Sequence, residues 1–189
     1  MQAEVLVLDQ SGFPMRWASL EDVAVEYAAG RVVWDLGQED WRLRGGINAR
    51  TGEQSVLHVR PLVAIRGALR NAHAPVSPVL AERSNALLFR RDRHICAYCG
   101  EPFDERHLTR DHIIPRCRGG LDTWTNCVTA CVRCNQAKGA RRVEDFRPLL
   151  YVPYAPCRNE QLLLARRHIL ADQMEYLAAR LPKHSRALA

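Results

Sequence analysis

Lysine is almost absent from this 189-residue chain: only Lys138 and Lys183 stand among its 27 basic residues, and the other 25 are arginine. That bias points to a GC-rich genome more than to a mechanism. Long apolar runs are absent too. No uninterrupted apolar stretch exceeds five residues, which excludes a membrane span needing about 20. The first residues, MQAEVLVLDQ, have neither a basic n-region nor a long apolar core. No secretory signal is therefore expected, and a cytoplasmic, reducing compartment is. No internal repeat or low-complexity tract occurs. The composition, 47% hydrophobic and 25% charged, is globular and excludes wholesale disorder. Cysteines number seven. A closed disulfide framework would leave one out, so metal ligands or free thiols are the better reading in a reducing setting.

The formal charge of +6 is unevenly spread. Residues 1–82 carry a net −2, residues 83–142 a net +6 and residues 143–189 a net +2. The basic middle segment also holds six of the seven cysteines and three of the seven histidines, His94, His107 and His112. A local basic excess among metal-type residues suggests a phosphate-bearing partner. On charge alone, a solvated basic face explains it as well.

Along the chain, Val5–Leu8 reads as a buried strand closed by a turn over 9–14. Ser19 and Asp22 fit a capping box. Leu20, Val23, Ala24, Tyr27 and Ala28 then recur on one helical face, with Gly30 as C-cap. Val32–Trp34 restarts a strand and residues 37–54 read as a loop or hairpin. Val56–Val59 and Leu62–Ile65 are extended segments broken by Pro61. Together they make a small α/β N-terminal region over 1–70, to which no chemistry attaches. Residues 71–82, with Pro75 and Pro78, read as a linker, and Ala86–Phe89 as a short helix.

A C-terminal extension covers 148–189. Its residues 159–181 contain no Gly or Pro, and Leu162, Ile169, Tyr176 and Leu163, Leu170, Leu177 recur at seven-residue spacing. The pattern predicts one long amphipathic helix. Docking on its own chain is the favoured use. A homodimer seam is the lesser one, because three repeats are few.

Two CxxC pairs, Cys96/Cys99 and Cys131/Cys134, are separated by 31 residues. Two such knuckles complete a closed four-thiolate Zn²⁺ site with no open position for water, so the zinc is structural. A paired set in a basic segment argues against a thiol oxidoreductase. Cys127 reads as a small buried hydrophobe.

Between the knuckles run Leu108–Ile114, a strand candidate ended by Pro115, and a basic loop over 116–125, expected to be mobile, with Gly119 and Gly120. A returning strand, Asn126–Ala130, follows, and Asn135 opens a short helix toward Lys138. Arg116, Arg118, Arg133, Lys138, Arg141 and Arg142 are the candidate phosphate contacts, arginine being suited to two-pronged phosphate binding. Trp124 reads as packing near the knuckles rather than as a base-stacking platform. Asn at a helix start is usually an N-cap, which leaves unexplained why Asn135 directly follows Cys134.

The DHIIPR block at 111–116, the Gly119-Gly120 loop, Thr123-Trp124-Thr125-Asn126 and the closing Cys134-Asn135…Lys138-Gly139 resemble, in that order, the HNH endonuclease family. The resemblance covers about residues 89–147. It implies a zinc-clamped ββα-metal unit over 83–147 and a metal-dependent hydrolysis of phosphodiester bonds in DNA, RNA being a variant. It places His112 as general base, Asp111 and Asn135 as protein ligands of one catalytic Mg²⁺ or Mn²⁺, and Asn126 as the brace that aims His112. The third signature position is Asn135 rather than His, which leaves the metal preference open. Neighbouring strand residues point to opposite faces, so Asp111 and His112 share a site only if the strand end is twisted or bulged. The whole chain is therefore expected to be α+β: the nuclease unit, the N-terminal region and the long C-terminal helix. The competing function is a non-catalytic, zinc-stabilised nucleic-acid-binding module, which would need the zinc and the basic residues but not His112.

Overall fold

The protein is described by a computed structural model. It covers residues 4–67, 80, 85–166, 168–183 and 185–187. Most of the expected linker, 71–79 and 81–82, lies outside the described residues.

In chain order the elements are β1 (Glu4–Asp9), β2 (Pro14–Ser19), α1 (Leu20–Ala28), β3 (Val32–Leu36), β4 (Trp41–Ile47), β5 (Gln54–Val59) and β6 (Leu62–Ile65). Then come α2 (Asn85–Arg91), β7 (Leu108–His112), β8 (Cys127–Cys131), α3 (Val132–Lys138), α4 (Arg158–Ala165) and α5 (Ala171–Ala178). The fold is mixed α+β. The chain divides into two compact units, Met1–Ala74 with Arg166–Leu188, and Pro75–Ala165. Among the described residues no helix is long and apolar enough to cross a membrane.

The first unit is a four-stranded sheet of order β2-β1-β6-β3, with β1 and β6 parallel and the outer pairs antiparallel. The runs Val5–Leu8 and Leu62–Ile65 are continuous rather than alternating because these central strands are buried throughout. Val5, Val7, Val63 and Ile65 pack with Val23 of α1 and Val59 of β5. Helix α1 starts at the expected box: Ser19 Oγ accepts from Asp22 N at 3.1 Å, and Asp22 Oδ2 accepts from Ser19 N. Residues 41–59 form the antiparallel β4–β5 hairpin, whose Trp41, Leu43 and Leu57 pack against the same core.

The single helix expected over 159–181 is instead two, α4 and α5. Leu162 and Leu163 are buried in the second unit, where α4 packs on α2. Helix α5 belongs to the first: Gln173 Nε2 donates to the carbonyls of Glu4 (2.8 Å) and Pro61 (3.0 Å), and the Tyr176 hydroxyl to that of Gly12 (2.7 Å). Each half is captured by a different core, and packing outweighs helix propensity. The heptad positions are thus divided and do not share one helix.

In the second unit, α2 packs on the β7–β8 hairpin. Leu80, Leu88, Phe89, Leu108, Trp124 and Cys127 form its core. Trp124 is buried there, as a packing residue. Arg91, whose side chain is wholly buried, pins the unit together. Its guanidinium donates to the carbonyls of Trp124, Tyr154 and Cys127 and to Asp92, and Asp92 in turn accepts from Thr129 N at 2.9 Å. A buried charge persists only with such complete pairing.

Candidate active site and four-cysteine centre

The hairpin turn at 96–100 and the β8–α3 junction bring the four Sγ atoms of Cys96, Cys99, Cys131 and Cys134 within 4.8 Å of one another. Cys96, Cys131 and Cys134 are buried and Cys99 is partly so. Cys131 is the N-cap of α3, its Sγ accepting from Cys134 N at 3.4 Å. Burial pushes the Cys134 thiol up to about 12 and that of Cys99 upward as well. At Cys96 burial acts the same way, but N–H groups of Cys131, Cys99 and Tyr98 outweigh it and lower the thiol. Four crowded sulfurs ionise together only with a cation among them, and a tetrahedral thiolate set suits zinc. The donor set fits that ion.

Strand register organises the rest. Leu108 pairs with Cys131, Asp111 with Val128 and His112 with Cys127. Side chains alternate along β7, so Thr109 and Asp111 occupy one face, Arg110 and His112 the other. Helix α3 covers the first face. Lys138, 1% exposed, donates to Asp111 Oδ1 at 3.0 Å and to the His112 carbonyl at 2.6 Å. The Tyr98 hydroxyl donates to Asp111 Oδ2. Asn135 Nδ2 donates to Thr109 Oγ1 at 2.8 Å and to the Arg110 carbonyl at 3.3 Å. Asn135 lies inside α3 rather than at its start.

Alternation along β7 thus sets Asp111, with Asn135, and His112 toward opposite faces, without a register shift in the β7–β8 pairing, and His112 is the last residue of the strand. Asp111 and Asn135 offer hard oxygens. Each carboxylate oxygen has accepting capacity beyond the bond it already makes. The pair fits a hard divalent ion, with the Lys138 ammonium as a competing cation.

On the opposite face, His112 Nε2 lies 2.9 Å from Asp122 Oδ1, which also accepts from Arg110 Nη1 at 2.8 Å. Arg116 approaches the other oxygen at 3.8 Å. The Arg110 guanidinium first, and then His112, hold the Asp122 carboxyl below the usual carboxylate range, against the effect of burial. Cys127 Sγ lies within 4.8 Å of the same His112 and Asp122 ligand atoms. Burial pushes its thiol up to about 11, so it is neutral.

Hydrogen bonds of Asn126 tie the ends of the loop between the strands together. Asn126 Oδ1 accepts from Ile114 N at 2.9 Å, and its Nδ2 donates to the carbonyls of Ile114 (3.2 Å) and Leu121 (2.9 Å). Asn126 also takes Ile113 N on its own carbonyl, which ends β7 at His112. Gly119 adopts φ +85°. Gly120 sits so close to Ile114 that an added Cβ would lie 1.7 Å from its carbonyl oxygen.

Of the expected phosphate contacts, Arg116, Arg118, Arg133 and Arg142 are exposed. Arg141 is exposed as well, donates to the Ala137 and Lys138 carbonyls and lies over the Phe146 ring. Lys138 is corrected: it is buried and paired, with no surface to offer a phosphate. Sequence reasoning missed Asp122, Tyr98 and Arg110. The period of two along β7 was the available signal for Arg110, since it places that residue on the face of His112.

Residues 96–148 match the sequence model of the HNH endonuclease family. A 45-residue stretch is 49% identical to the CRISPR-associated endonuclease Cas9 of Corynebacterium diphtheriae, covering 23% of this chain and 4% of that protein. A 119-residue stretch is 28% identical to the Type IV methyl-directed restriction enzyme EcoKMcrA of Escherichia coli, covering 54% of this chain and 43% of the relative. The chain therefore spans less than half the length of either.

Proposed function

From the match of residues 96–148 to the HNH endonuclease family, we propose that the chain is a metal-dependent endonuclease of ββα-metal type acting on DNA, with His112 as its general base. The observation that carries this reading is the placement of His112. It ends β7, is only partly exposed, and is hydrogen-bonded through one ring nitrogen while exposed arginines flank the following loop. An imidazole is matched to water activation near neutral pH. In the proposed reaction His112 takes a proton from the attacking water. Arg116, Arg118, Arg133, Arg141 and Arg142 hold the phosphate backbone, and Asn126 fixes the loop on which His112 depends. Asp111 and Asn135 are the proposed ligands of one divalent ion, Mg²⁺ or Mn²⁺. Such an ion supplies, when bound, neutralisation of charge on the phosphoryl oxygens. Cys96, Cys99, Cys131 and Cys134 hold structural Zn²⁺ and keep β8 and α3 in place. Thiolate ligands suit a reducing cytoplasm.

One observation favours a second reading, a zinc-stabilised nucleic-acid-binding module without catalysis: Asp111 is already neutralised by Lys138. The discriminating experiment offers supercoiled plasmid DNA and single-stranded RNA to the zinc-loaded chain with Mg²⁺, Mn²⁺, Ca²⁺ or no added ion. Divalent-dependent DNA nicking supports the nuclease. Binding without cleavage under every condition supports the module, and cleavage of RNA alone reassigns the substrate.

A further inference from the structure

Asp111 and Asn135 stand on one face of β7, and His112, the proposed general base, stands on the other against Asp122. Three observations bear on its role. Asp122 Oδ1 lies 2.9 Å from His112 Nε2, and both side chains are largely buried, 15% and 18% exposed. The same carboxylate is fixed from a second direction by Arg110 Nη1 at 2.8 Å and approached by Arg116. Its main chain is fixed as well, the Asp122 carbonyl accepting from Leu80 N at 2.7 Å.

An ionised carboxylate can only accept hydrogen bonds. The proton between the two groups therefore belongs to Nε2, and in the neutral imidazole Nδ1 is left with the free lone pair. Cys127, the remaining ligand-type group on this face, is a neutral thiol and offers no competing charge.

We propose that Asp122 is a positioning residue for His112: it holds the imidazole as the Nε2–H tautomer so that Nδ1 accepts the proton of the attacking water. The inference rests on the reading of His112 as general base. The proton balance is simple. Water gives one proton to Nδ1 as its oxygen bonds to phosphorus and the bond from phosphorus to the leaving sugar oxygen breaks. That alkoxide takes a proton from solvent. The imidazolium, stabilised meanwhile by the Asp122 carboxylate on its other side, returns its proton to solvent. The same arrangement of carboxylate and imidazole orients the base in unrelated hydrolases. Arg110 has a part in it too, because it keeps Asp122 from turning away.

The test uses the zinc-loaded full chain carrying Asp122→Ala or Asp122→Glu. His112 Nε2 and Arg110 Nη1 meet the same oxygen, so Asp122→Ala removes the acceptor of Nε2–H and leaves the ring without its fixed tautomer. Plasmid nicking by this variant should fall in kcat by roughly 10²-fold or more, while KM changes by less than about threefold. Asp122→Glu, which keeps an acceptor, should recover part of the loss. Long-range ¹H–¹⁵N spectra of His112 should report Nε2–H in the wild type and a loss of that preference in Asp122→Ala. Nicking by Asp122→Ala with the wild-type kcat overturns this inference alone, and so does an Nδ1–H tautomer in the wild type. Absence of divalent-dependent nicking by the wild type overturns the nuclease reading and this inference with it.

Discussion

Lys138 Nζ and Asp111 Oδ1 form an ion pair 3.0 Å long with both side chains almost wholly buried, 1% and 5% exposed. The pair joins α3 to β7 directly behind His112, whose carbonyl takes a second bond from the same ammonium. Removing one partner leaves an uncompensated buried charge. Lys138→Met should therefore destabilise the folded unit by about 3–5 kcal/mol. The double variant Asp111→Asn/Lys138→Met should regain a large part of that. Urea denaturation of the zinc-loaded proteins measures both, and equal loss in single and double variants would contradict the pairing.

The cysteine centre makes a prediction of a different size. Structural zinc contributes about 10–16 kcal/mol in small zinc domains, comparable to or above the roughly 5–15 kcal/mol stability of a domain. Chelation, or Cys131→Ser, should unfold the segment around 96–148, with loss of circular dichroism and rapid proteolysis there. Unchanged protease resistance after verified zinc removal would contradict it.

The two neighbouring glycines should respond differently to alanine. Gly119 has positive φ but open space around a Cβ, so Gly119→Ala should lose about 1–2 kcal/mol for the left-handed conformation. At Gly120 the added atom meets the Ile114 backbone at 1.7 Å, and nothing there is a flexible side chain. Gly120→Ala should exceed the ordinary overpacking range of about 1–3 kcal/mol. It should also disturb the amide signals of Ile114 and Asn126. Thermal melts of the pair give the comparison.

Asp122 gives a pH dependence. Its carboxyl is held low in the folded protein, chiefly by Arg110. A depressed folded value means that its contribution is complete above the unfolded value, near 3.9, and is lost as pH falls through the folded one. The stability advantage of wild type over Asp122→Asn should be present at pH 6 and should disappear in strong acid. Urea midpoints of both proteins across that range check the sign.

Local signals carried much of the fold. The Ser19–Asp22 box and the apolar face that follows locate α1, and the CxxC spacing locates the four sulfurs, because each depends on residues near one another in the chain. Where partners are remote, the reading failed. Lys138 sits in a basic stretch and looks like a surface cation; only the docking of α3 on β7 buries it against Asp111. Residues 166–170 contain no helix breaker, yet two cores divide the predicted helix between them. Asp122 carries no motif signal beyond its place after Gly120, and its meaning comes from where the loop returns it to β7. The alternation of strand side chains, by contrast, already set Asp111 and His112 apart.

The central claim is that His112 performs chemistry rather than packing. Its most direct measurement is single-turnover nicking of supercoiled plasmid by zinc-loaded wild type and His112→Ala, at equal zinc content and matched DNA occupancy, with Mg²⁺ or Mn²⁺ present. The account predicts that nicking falls by about 10²–10⁴-fold in His112→Ala while DNA binding is retained. Equal rates in the two proteins would contradict it.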